Sequence, residues 1–127
     1  MDVAPAKLYR VVNDTEAEAD LLDEAKERSW TQRAEHALLL LEDGRRVIIS
    51  GGFTGIELML DAEHRPVLQM DEGPIRIRRL VWHVHPMVTG PSDADMLVLR
   101  VIGQRNSLLY EIGGERSGTE FYDRKRS

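Results

Sequence analysis

The chain has 127 residues, no cysteine, 22 acidic and 17 basic side chains and 42% hydrophobic composition, with a formal charge of −5. Without cysteine it is no disulfide scaffold, zinc ribbon, iron–sulfur protein or thiol enzyme, which leaves histidine, carboxylate and hydroxyl for chemistry. Its length fits one domain, 1-127 with a core over about 8-122, and its longest apolar run, Ala37 to Leu41, is far short of the ~20 residues of a membrane-spanning helix.

The first residues, MDVAPAKLYR, lack the apolar stretch of a signal peptide, so a cytoplasmic location is expected, with a frayed leader around Pro5. Leu8 to Val12 reads as a short strand. Thr15-x-x-Glu18 has the form of a capping box, and Ala17, Leu21, Leu22 and Ala25 recur at helical spacing, which predicts a helix to about Gln32. This helix holds most of the acidity: residues 14–27 carry seven acids against Lys26 and sum to −6, leaving +1 for everything else. Such a balance argues against a nucleic-acid partner, which needs clustered Lys and Arg.

Ala37 to Leu41 and Arg45 to Ser50 flank Glu42-Asp43-Gly44, a hairpin signal. Gly51, Gly52 and Gly55 break the pattern, and Ile56 to Leu60 fits either a strand or a helical turn. Val67 to Met70 and Ile75 to Ile77 predict a second hairpin across Asp71 to Pro74, whose second strand runs on, after a bend, into Leu80 to His85. Arg76, Arg78 and Arg79 on it read as a solvated strand face. Pro86 to Pro91 is a loop, and Ser92 opens a helix through Ile102 that Gly103 closes. Ser107 to Ile112 and Thr119 to Tyr122 make a last hairpin, followed by a frayed Arg124-Lys125-Arg126 tail. The expected fold class is α/β of the α+β type: a mixed, largely antiparallel sheet with a helix on either side of its centre.

The chemistry concentrates in His83-Val84-His85-Pro86 and Ser92-Asp93-Ala94-Asp95. Strand side chains alternate, so His83 and His85 project to one face and can share a metal ion. Asp95, folded back by the loop, would be a third ligand, and two histidines with one carboxylate leave a fourth position for water, as catalytic zinc sites do. Ser92-x-x-Asp95 is equally a capping box that helix physics explains without any ion.

This stretch resembles the JAMM (JAB1/MPN+) zinc metallopeptidase motif: a Glu on an early strand, then His-x-His, Pro, a loop and Ser-x-x-Asp. The resemblance implies a JAB1/MPN-like (cytidine-deaminase-like) core, Zn2+ held by His83, His85 and Asp95, an oxyanion-stabilising Ser92, and a general base at Glu35, which enters the apolar strand directly after the first helix. Glu42, Glu57 and Glu63 are rivals for the base by composition, while His36 and His64 read as structural. The loop from Pro86 to Pro91 has six residues, one fewer than the usual minimum of the pattern, and so bears on whether Asp95 reaches the ion.

The function so implied is zinc-dependent hydrolysis of a peptide or isopeptide bond. A chain with little room for ubiquitin-gripping insertions points to a peptide or small protein conjugate as substrate. Shorter bacterial members of the family resemble it in their compact loops and in a Gly-rich end like Tyr110 to Gly114. The alternatives are a metal-free MPN-like binding or scaffold module and an accessory protein of a bacterial toxin or phage system.

Overall fold

The computed structural model describes residues 2–123, so the basic tail at Arg124 to Arg126 lies outside the described residues. In chain order the elements are β1 (Val3–Pro5), β2 (Lys7–Val11), α1 (Glu18–Gln32), β3 (His36–Leu41), β4 (Arg46–Ser50), β5 (Gly55–Glu57), β6 (Met59–Leu60), β7 (Pro66–Met70), β8 (Gly73–His85), α2 (Asp93–Ile102), β9 (Asn106–Glu111) and β10 (Thr119–Tyr122). Strands run in the order β10-β9-β8-β3-β4-β2, with β7 on the first part of β8 and β6 beyond it. All these pairings are antiparallel except β8 with β9, which α2 joins as a parallel crossover. No helix among the described residues is long and apolar enough to cross a membrane.

The all-apolar run after His36 makes β3 a central strand, paired on both edges and covered on both faces. Ala37, Leu39 and Leu41 face α2, packing with Leu99 and Ile102. Leu38, with Ile48, Trp82 and Val84, faces α1 through Leu21 and Ala25. The two helices therefore lie on opposite sides of the sheet, as expected.

Strand β8 is one continuous strand of 13 residues in place of two joined by a bend. Its register against β3 slips twice, at Arg78 and at Val81. Each bulge inverts the alternation of faces. Ile77, Leu80 and His83, spaced by three, therefore all point to the α2 side. Arg78 and Arg79 are left exposed together, whereas Arg76 pairs with Asp61 and Glu63.

Two expectations fail near the amino terminus. The N-cap of α1 is Ala17, with no side-chain cap, so Thr15-x-x-Glu18 is not a capping box. The Glu16 carboxylate instead accepts the Asn13 N–H and, with Glu24, clasps Arg10, which ties the start of the helix to β2. The segment around Pro5 is not frayed but forms β1, parallel to β5, with Thr54 N–H donating to Asp2 O at 2.6 Å. Gly52 permits this approach, since a Cβ there would strike Asp2 O and Ala4 N.

Ile56 to Leu60 is strand, interrupted at Leu58. Trp30 is exposed, under the guanidinium of Arg33, while Leu109 is core.

Candidate metal centre

Four side chains from three parts of the chain converge on the α2 side of the sheet: Glu35, His83, His85 and Asp95. Each offers a ligand atom, and all these atoms lie within 4.8 Å of one another. His83 and His85 come from the last turn of the β8 pleat, where it pairs with both β3 and β9. Glu35 is fixed by its backbone, which exchanges hydrogen bonds with the glycine pair after β4: Glu35 N–H to Gly52 O at 2.8 Å and Gly51 N–H to Glu35 O at 2.9 Å. Asp95 sits in the first turn of α2.

The distances bear directly on the fit to an ion. The two Nε2 atoms of His83 and His85 are 3.1 Å apart, and Asp95 Oδ2 lies 3.2 Å from the first and 3.3 Å from the second. Donors about 2.0–2.2 Å from a tetrahedral zinc stand about 3.3–3.6 Å from one another. The near-equilateral triangle thus has edges close to that spacing, and the residues fit a metal of that kind. Glu35 Oε2 is 3.5 Å from His85 Nε2, next to the triangle.

Asp95 caps the helix and is also placed where a ligand to an ion would stand. Ser92 Oγ accepts the Asp95 N–H at 3.1 Å, and Asp95 Oδ2 accepts the Ser92 N–H at 2.9 Å, a complete capping box. The same Oδ2 is the atom that meets both imidazoles. A carboxylate oxygen can accept from more than one side, so capping and ligation coexist, and the six-residue loop does not hold Asp95 out of reach.

The histidines are held differently. His85 Nδ1 lies 3.1 Å from Glu111 Oε2 and 3.0 Å from Thr89 Oγ1. An ionised carboxylate only accepts, so a neutral His85 carries its proton on Nδ1 and turns a bare Nε2 to the cluster, a tautomer inferred from the network. His83 Nδ1 is buried without a hydrogen-bond partner among the described residues, and its ring makes edge contacts to Phe121 and His85.

Electrostatics favour a cation here. Burial pushes the Glu35 carboxyl up to about 7, with Asp95 and Glu111 adding to the shift and His85 opposing it. Burial would also raise Asp95, but the facing imidazoles of His83 and His85 outweigh it and hold Asp95 well below the usual carboxylate range. For His85, burial acts to lower the pKa, and the facing Asp95, Glu35 and Glu111 carboxylates overcome it and raise it. A field that favours a proton on His85 Nε2 equally favours a metal ion at that atom.

Of the rivals to Glu35, Glu42 is exposed in the turn between β3 and β4, Glu57 is exposed on β5 and Glu63 pairs with Arg76. His36 lies on the opposite face of β3, 2.9 Å from Ser29 Oγ, and His64 occupies the Asp61 to Arg65 turn, so both are structural. Sequence reasoning missed Glu111 and Thr89. The signal for Glu111 was its place in a strand after the crossover helix, which its parallel register sets beside His85. No protein-family model, curated protein or solved structure matches the chain. What the fold and the site define together is a mixed α+β protein with a buried Glu-His-His-Asp group that could hold a metal ion.

Proposed function

We propose that this protein is a zinc-dependent hydrolase of a peptide or isopeptide bond, built on a JAB1/MPN-like core. The observation that carries the reading is the triangle of His83, His85 and Asp95 donors at tetrahedral spacing, with the buried Glu35 beside it. A zinc ion there supplies Lewis acidity and a water acidified to near neutral pH. Glu35, buried beside the triangle, would take a proton from the attacking water and return it to the leaving nitrogen. Ser92 Oγ accepts the Asp95 N–H, which leaves its own proton to donate to the carbonyl oxygen as charge develops. Glu111 holds His85 in the tautomer that presents Nε2. The substrate in this reading is a peptide or a small protein conjugate.

The test is the zinc content of protein purified without chelator, repeated on His83→Ala and Asp95→Ala. One equivalent in the parent and loss in both variants is expected, with Glu35→Gln keeping zinc while losing hydrolysis of a peptide-conjugate library. Background zinc that neither substitution changes overturns the proposal. It would leave a metal-free binding module, a reading that the capping box favours because it accounts for Asp95 without an ion.

A further inference from the structure

Beside the cluster lies a cavity of about 30 Å3, whose polar lining side chains are Glu35, His83 and Asp95. Its floor is apolar and buried, formed by Ala37 and Leu39 of β3 and Leu80 of β8. Its rim is apolar and partly open: Ile56 of β5 on one side, Ala94 and Val98 of α2 on the other. Ala94 and Val98 are four residues apart and so share one face of the helix. An empty apolar slot between a helix and a sheet loses dispersion contacts unless something fills it. This one runs up to the group proposed to handle the reacting bond.

We infer that this cavity is the subsite for a small aliphatic side chain of the peptide, alanine to valine in size, adjoining the bond to be cut. The inference rests on the hydrolase reading and adds the substrate class. Size follows from volume: about 30 Å3 is a small multiple of the 10–15 Å3 that one water needs, which favours a group of a few heavy atoms over a phenyl ring. Chemistry follows from the lining. A charged or amide side chain pushed into the slot would leave water without a partner on the floor, whereas a branched aliphatic one gains from every methyl it buries. Position follows from the shared lining, since Glu35, His83 and Asp95 of the cluster also line the cavity and a side chain within it lies beside them.

The experiment follows the methyl resonances of Leu39, Ile56 and Val98 by NMR in the purified protein, with and without added zinc. The probes are the N-acetyl methylamides of glycine, valine and phenylalanine. Saturable shifts with the valine compound, at least about ten-fold weaker binding of the glycine compound, and no binding of the phenylalanine compound are expected. Val98→Phe, and independently Ala94→Leu on the exposed rim, should abolish the valine shifts while the circular dichroism spectrum stays that of the parent. Equal shifts from all three probes, absence of shifts at these methyls, or full valine binding in both variants overturns the inference. Zinc content, measured on the same samples, reports separately on the hydrolase reading.

Discussion

Replacing Glu111 by glutamine tests how much of the metal site is made outside its ligands. One oxygen of this carboxylate, Oε2, lies 3.1 Å from His85 Nδ1 and accepts the backbone N–H groups of Thr89 at 2.7 Å and Gly90 at 2.9 Å. Burial acts to raise its pKa, but these donors outweigh it and keep it ionised. A glutamine oxygen can still accept the two loop N–H bonds, at the cost of the difference between charged and neutral acceptors, roughly 1 kcal/mol each. What it cannot supply is the negative charge behind the imidazole, which makes Nε2 a stronger donor. Loss of such a partner lowers metal affinity by about 10–100-fold, or roughly 1.4–2.8 kcal/mol. The assay is competition for zinc against a chromophoric chelator at fixed pH, with the melting curve of the metal-free form as a fold control. Unchanged zinc affinity in a folded Glu111→Gln protein would refute the reasoning, because it would mean that Nε2 needs no support from the far side of the ring.

Two further predictions concern stability. His36 is fully buried; burial lowers its pKa to about 4, with Arg28 adding to the shift and the Ala34 carbonyl opposing it. Unfolded, this imidazole titrates near 6.5, so between about 6.5 and 4 it binds more protons in the unfolded chain than in the folded one, and the His36 contribution to stability falls as pH drops through that window and is flat above it. Over a window from about 6.5 to about 4 the loss is at most roughly 3 kcal/mol; denaturation of the parent and of His36→Gln with parallel pH profiles would contradict it. Gly52→Ala should force β1 off β5, at about 1–3 kcal/mol as for other overpacked sites, and hydrogen exchange at the Thr54 amide should accelerate while that at Leu99 stays protected. Unaltered protection at Thr54 would show that the close approach to Asp2 is not what pins the segment.

Local geometry explains why part of the site was legible in the sequence. His83 and His85 share a face because strands alternate, and Ser92 and Asp95 meet because a capping box spans three residues; neither depends on the rest of the fold. Glu35 was legible at one remove, through its place at the junction of α1 and the apolar β3. Glu111 was not, because its contact with His85 is set by the parallel register across β8 and β9, 26 residues apart. The two bulges in β8 left no signal either. Their effect shows only in the burial of Ile77, Leu80 and His83 at a spacing that neither helix nor regular strand explains. At the first helix, local propensity pointed to Thr15, but the tertiary pull of Arg10 on Glu16 and Glu24 decided where the helix begins.

Placing a cation at the head of α2 runs against the usual preference of a helix amino terminus for anions. The conflict is settled by counting charges. The helix end contributes about half a positive charge, and the Ser92 N–H that would project part of it is already taken by Asp95 Oδ2. Against it stand Asp95 and Glu111, both held ionised, and Glu35, which is near half-ionised at neutral pH. Once an ion displaces any proton from His85 Nε2, two to three negative charges against half a positive one leave the site attractive to a divalent ion. The capping box also keeps Asp95 from swinging away when no ion is bound, so the carboxylate that cancels the helix field is the one already in position to ligate.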